Sequence, residues 1–362
     1  MSNAIEHFSR TRVDHTTLQV MADTQQGLAR LIDEETSVIR HFARSGNWPH
    51  KWVNMFVLEN LQPLVSQIKH ATALSSVVAE DIDRRPMVNV YDAADLSECA
   101  VFVNRGVLDR DGTWHDELAL RALLAHEHGH PLAENKTVHA ARELSVEIEE
   151  AEPQSAAIGP ILLLLAGRIS VQAPQEVFAN EIAIRAGFAD ALLHLDEGVI
   201  EKARLGVSKR PLLVESLRKQ VTNGKLSADH AAALLLVGDL QAHLGFALET
   251  APFLRAGSAQ QADALEAALA QGVWAHLDPA VKRLYEELRE HYRRLKVDFT
   301  PAETKAWASE AMALLGDVLR QQNVRVRLNV VRTRKGAKRP RHSKLEAAPG
   351  CNGVLDTDGG SP

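Results

Sequence analysis

Cysteine is nearly missing from this sequence: Cys99 and Cys351 are the only two among 362 residues. A disulfide-stapled scaffold is excluded, and a reducing compartment fits. Aromatic residues are also sparse, at 5%. Alanine and leucine are abundant instead, a balance that favours helix. The longest apolar run, Ala156 to Gly167 (AAIGPILLLLAG), is interrupted by Gly159 and Pro160. It falls short of the roughly twenty residues that a membrane span needs. It reads as a buried helix, and no transmembrane segment is expected. The first residues (MSNAIEHFSRTRVDH) contain no apolar stretch of the signal-peptide kind, so the expected location is cytoplasmic. Excess charge is lacking too. A net charge of −6 exerts no general pull toward nucleic acid. No short-period repeat of the solenoid type is found.

What is present is an ordinary hydrophobic content of 45%, enough to build a core, over a length that allows two or three domains. The most informative stretch is His126-Glu127-His128-Gly129-His130. It contains the spacing H-E-x-x-H, and the lead-in from Asp116 to Ala125 (DELALRALLA) reads as a helix. Positions i and i+4 share a helix face, so His126 and His130 can offer nitrogens to one ion. Glu127 can reach a water on that ion. Two histidines, a carboxylate and an open position are what a hydrolytic zinc centre needs. Gly129 carries no side chain and allows a neighbouring element to approach closely. A competing reading places His126, His128 and His130 on a strand, where all three would face one side as in other metal-dependent hydrolases with an H-x-H motif. The Ala- and Leu-rich lead-in favours the helix.

Around this segment the chain divides into four regions. Residues 1–85 read as an N-terminal helical region, including a run from Met55 to Ile68 with Val57, Leu61, Leu64 and Ile68 near a 3.6-residue period, which Pro63 would kink or split. Residues 86–205 read as the metal-binding core. Pro86 to Tyr91 (PMVNVY) and Cys99 to Val103 (CAVFV) are β-rich. Asp109 to Thr113 is expected to be a loop, with Thr113 as the cap of the motif helix and Asp116 in its first turn. Pro131 removes the hydrogen bond back to Glu127 and should end or kink that helix. A charged helix from Thr137 to Glu152, the short apolar helix and a helix from about Gln175 to Ala186 follow. Residues 206–323 read as all-helical, with strong helix starts at Asp278-Pro279 and at Thr300-Pro301-Ala302-Glu303. Residues 324–362 read as a basic, disordered tail. Val324 to Val330 alternates like a strand, and Arg325 to Lys344 holds nine Lys or Arg. Nucleic-acid binding by this tail is the functional alternative, weakened by the lack of aromatic residues for base stacking.

A zinc ion held by two histidines needs a third protein ligand. Glu176 stands one helical turn before Asn180, so the acid can bind metal while the amide oxygen of Asn180 accepts a hydrogen bond from the far nitrogen of a ligating histidine. The order of these segments resembles the gluzincin metallopeptidases, and is most similar to the family that includes the CAAX prenyl endopeptidases and the HtpX-type heat-shock proteases. The likeness runs from about Met87 to Phe188. It rests on VFVNRGVLD (101–109), DELALRALLAHEHGH (116–130) and EVFANEIA (176–183). It implies a gluzincin-like core with a single Zn2+ bound by His126, His130 and Glu176, with Glu127 as general base. The chain departs from the family at Asn180, where an Asp is usual, at His128, where an apolar residue is usual, and at Pro131, where the helix continues. A second echo, Leu226-Ser227-Ala228-Asp229 with His230, carries Lys225 in place of the ligand acid. If that segment were the true counterpart, Asp229 or His230 would have to substitute, or the enzyme would be inactive.

The expected fold is therefore mainly α with a small β-sheet (α+β). The expected activity is that of a zinc-dependent endopeptidase acting on a protein or peptide substrate, with Tyr91, His139, Arg185 and His194 as oxyanion-stabilising candidates by residue type. The rival readings are an inactive metallopeptidase-like binding module and a regulatory protease coupled to nucleic acid through the tail.

Overall fold

The computed structural model describes residues 5–46, 48–71, 76–151 and 158–333. The fold is mainly α with a five-stranded and a two-stranded sheet, which is the expected class. The larger sheet has the order β1-β2-β3-β5-β4, built from β1 (His7–Val13), β2 (Thr16–Ala22), β3 (Trp52–Leu58), β4 (Met87–Asp92) and β5 (Asp95–Asn104). β2, β3 and β5 run parallel, and β1 and β4 pair antiparallel at the two edges. Alternate side chains divide the sheet's surfaces. Val53, Met55, Val57, Cys99, Val101 and Val103 enter the main core. Phe56, Leu58, Ala100 and Phe102 enter a smaller cluster with Leu61, Val65, Ala79 and Ile82. The main-core face is covered by α1 (Leu28–Arg44) and α5 (Glu117–Leu132), and the other by α2 (Gln62–Ala71) and α3 (Ser76–Arg84).

Residues 1–85 are thus not an all-helical region. Three of their segments are strands of the core sheet. The apparent helical period from Met55 to Ile68 bridges two elements. β3 ends at Leu58, and α2 begins at Gln62 with Pro63 harmless in its first turn and the Gln62 N–H bound to Asn60 Oδ1. The short helix α4 (Arg105–Arg110), capped by Asn104, reaches into the segment expected to be a loop. The stretch from Thr137 to Glu152 is also divided. α6 (Lys136–Arg142), capped by Asn135, gives way to β6 (Leu144–Ala151). β6 pairs antiparallel with β7 (Val326–Arg332), so part of the segment read as tail is an ordered strand. The basic residues from Arg334 to Lys344 lie outside the described residues.

The remaining helices complete the main core. They are α7 (Gly159–Ile169), α8 (Ala173–Ala183), α9 (Ala189–Thr222), α10 (Ala228–His243), α11 (Phe246–Ala256), α12 (Ala259–Gly272), α13 (Pro279–Arg293) and α14 (Pro301–Gln321). Both expected starts hold: Asp278 caps α13, and Thr300 with Glu303 forms a capping box on α14. The run Ala228–Ala256 is long and apolar enough, by length and composition alone, to cross a membrane. Here it is two helices, and Val237, Leu240, Ala247, Ala251 and Phe253 sit in the core.

Candidate metal centre

The motif helix α5 starts at Asp116, not Thr113. The Asp116 carboxylate accepts the Ala119 N–H at 3.0 Å, and Glu117 sits in the first turn. Thr113 instead opens a short 3-10 turn before it. The helix runs one residue past Pro131. Proline cannot donate to the Glu127 carbonyl. That carbonyl is satisfied from elsewhere: Asn89 Nδ2 of strand β4 donates to it at 3.2 Å. The Asn89 backbone N–H donates to Glu127 Oε2 at 2.9 Å. One residue therefore completes the helix backbone and holds the carboxylate of the motif.

Gly129 lets α8 lie directly on α5. A Cβ at this position would stand 2.5 Å from the carbonyl oxygen of Ala179. That contact brings Glu176 and Asn180 to the two histidines. His126 Nε2 lies 3.1 Å from His130 Nε2 and 3.4 Å from Glu176 Oε2, and His130 Nε2 lies 4.0 Å from the same oxygen. Zinc–ligand bonds of about 2.0–2.1 Å in a tetrahedral shell put neighbouring ligand atoms about 3.3–3.4 Å apart, so the three distances bracket that value. Asn180 Oδ1 is 2.7 Å from His126 Nδ1. An amide oxygen accepts only, so Nδ1 carries a proton and Nε2 is the nitrogen turned to the other two groups. The chemistry of these donors and their spacing fit a zinc ion.

The electrostatics follow from burial. Burial pushes the Glu127 carboxyl up, and His126 and the Asn89 N–H only partly oppose it. Burial also lowers His130 to about 3, keeping its ring neutral. For Glu176 burial works upward, but His130, His126, Arg85 and Arg168 together hold its carboxyl below the usual range. A neutral imidazole and an ionised carboxylate are the protonation states in which these groups bind metal.

His128 does not join this group. The segment is helix rather than strand, so i+2 points away, and its Nε2 meets Glu35 Oε1 of α1 at 2.7 Å in the core. Asp229 is exposed in the first turn of α10, where Ser227 is the cap, and His230 is only half-buried beside it. Among the described residues, the acid that shares a metal-capable cluster with His126 and His130 is Glu176. The oxyanion candidates separate as well. His194 binds Asp116 at 2.7 Å, ten residues and about 15 Å along α5 from His126. Arg185 is held by Glu181 and by the Arg255 carbonyl, and His139 pairs with Glu134. Tyr91 donates to Glu134 at 2.7 Å and accepts from Arg142 at 3.0 Å and from Gln175 at 3.3 Å, next to Glu176. Sequence reasoning missed Asn89 and Arg142, because their roles come from contacts 38 to 51 residues away along the chain. The loss of a donor at Pro131 was the one local signal that an outside group such as Asn89 was needed.

Comparisons with protein-family models, with curated proteins and with solved structures find no match to this chain.

Proposed function

We propose that the protein is a zinc-dependent endopeptidase. The observation that carries this reading is the convergence of His126, His130 and Glu176, whose donor atoms all lie within 4.8 Å of one another, with Glu127 between the two histidines in sequence. Three such ligands leave a tetrahedral ion one open position. Zinc bound there would make its water acidic and polarise a scissile carbonyl. The chain's own residues supply the rest. Glu127, held through Oε2 by the Asn89 N–H, takes the proton of the attacking water and passes it to the leaving amine. Its raised carboxyl pKa suits both halves of that task. Asn180 fixes the His126 tautomer. Tyr91, bound to Gln175 beside Glu176, is the candidate kept for oxyanion charge; its hydroxyl proton and the Arg142 guanidinium go to Glu134 and would have to turn to the substrate. A peptide substrate is supported by β4, an edge strand that packs on α5. An extended chain added to that edge beyond Asn89, whose N–H is taken by Glu127, would run past the carboxylate.

The test is direct. Wild-type protein should cleave casein or a peptide library in a chelator-sensitive way. Glu127→Gln should keep zinc at this centre and lose cleavage by at least about a hundredfold, because an amide cannot accept the proton. Cleavage by the variant at the wild-type rate, or no chelator-sensitive cleavage by the wild type, removes the proposal.

A further inference from the structure

On the opposite side of α5 from His126 and His130, the core contains a second group of metal-ligating side chains. We infer that His50, Cys99 and His128 bind a second zinc ion, one that pins α5 to the sheet and to α1 and takes no part in hydrolysis. The inference does not depend on the peptidase reading.

The three donor atoms lie within 4.8 Å of one another, and none of the residues is more than 1% exposed. Across the edges of a tetrahedral thiolate–imidazole zinc site the separations are about 3.3–3.6 Å, so zinc would draw these donors together by no more than about 1.5 Å. Each histidine already has its outer nitrogen bound. His50 Nδ1 meets the Leu96 carbonyl at 2.5 Å. A carbonyl only accepts, so Nδ1 carries the proton and the Nε2 lone pair faces inward, where it is buried without a partner. His128 Nε2 meets Glu35 Oε1 at 2.7 Å. With that proton on Nε2, His128 Nδ1 is the ring nitrogen turned toward Cys99 and the Asn89 amide, the contacts that zinc would replace. An outer nitrogen bonded to a carbonyl or carboxylate, with the inner nitrogen free, is the arrangement that orients ligating histidines. Asn89 completes the wall. Its amide stands 3.5 Å from His128 Nδ1, and its Oδ1 is buried without a partner.

Charge selects the ion. With an ion bound, a Cys99 thiolate and the Glu35 carboxylate would together carry two negative charges in a site closed to water, and a divalent cation would make the unit neutral. A monovalent soft ion such as Cu(I) would leave one charge uncompensated. Binding breaks the Cys99 S–H bond. The sulfur keeps the electron pair, and the proton leaves to solvent with any proton on His128 Nδ1. Because the site is closed, the ion enters as the chain folds.

Cobalt(II) in place of zinc separates this site from the first, which contains no sulfur. Protein produced in cobalt-supplemented medium should show a thiolate-to-cobalt charge-transfer band in the near ultraviolet. Zinc-loaded protein should hold about two ions per chain. Cys99→Ala and, independently, His50→Ala should each lose one ion, and Cys99→Ala should also lose the band. The His126→Ala/His130→Ala double variant should lose the other ion and keep the band. A wild-type cobalt protein without the band overturns the inference, and needs no variant that could misfold. So does a His126→Ala/His130→Ala protein that is folded and metal-free. Failure of the first centre alone would show as one ion with the band retained.

Discussion

The contact at Gly129 carries the assembly of the first centre, and Gly129→Ala tests it. In isolation the change should stabilise a helix by about 1 kcal/mol, since glycine is the poorer helix former by that amount. The added methyl would lie 2.5 Å from the Ala179 carbonyl oxygen and 3.0 Å from Ala179 C and Cα. The first of these is about 0.9 Å inside the 3.4 Å where ordinary contact begins. The neighbour is backbone of α8, with no flexible side chain to turn aside, so α8 has to move. Overpacking of this kind costs about 1–3 kcal/mol. Set against the propensity gain, the metal-free protein should lose about 0–2 kcal/mol. Zinc binding should suffer more. Glu176 and Asn180 ride on α8 on either side of Ala179, and metal sites tolerate ligand displacements of only about 0.2 Å. Zinc affinity, measured by competition with a chromophoric chelator, should fall at least tenfold, the range seen when groups that support ligands are disturbed. Calorimetry of the metal-free protein gives the stability term. A variant about 1 kcal/mol more stable than wild type, with zinc affinity unchanged, would refute the close-packing argument and the role given to α8.

Two further outcomes are expected. Glu176→Ala should lower zinc affinity at the His126/His130 centre by at least about a hundredfold, whereas Asp229→Ala, exposed at the start of α10, should leave it unchanged; the reverse pattern would reassign the third ligand. His243 is buried at the C-terminal end of α10 against Trp274, and burial, with Arg210 adding to it, holds it at about 4 against an ordinary 6.5. The unfolded chain takes up this proton below pH 6.5 and the folded chain does not, so the stability is fully present above pH 6.5 and about 3 kcal/mol is lost as pH falls from 6.5 to 4. His243→Leu should reduce the difference in urea unfolding free energy between pH 7.5 and pH 4.5 by an amount of that order, and an unchanged difference would show that His243 is not the group responsible.

Much of the candidate site is legible in the chain because its geometry is local. A helical repeat sets His126 against His130, and the same repeat sets Glu176 one turn from Asn180. Gly129 and Pro131 announce, respectively, a close neighbour and a carbonyl without its helical donor. Helix starts at Asp278 and Thr300 are equally local, since a cap is a contact over three residues. β4 and β5 were visible because their β-branched runs are close together and bounded by turn residues.

What lay outside the sequence is whatever depends on a distant partner. The apolar side chains of β3 and the start of α2 produce a helical period by coincidence, and only pairing with β2 and β5 decides that Trp52–Leu58 is extended. β6 is a strand because β7, some 180 residues later, supplies its hydrogen bonds; without that partner its charged alternation fits a surface helix equally well. The same holds for chemistry. His128 reads as an odd residue in the motif until α1 brings Glu35 and the sheet brings Cys99 and His50 against it. Periodicity and capping act over a few residues and are written in order along the chain. Strand pairing and buried clusters join groups whose separation in sequence is arbitrary, and only the closed core gives them neighbours.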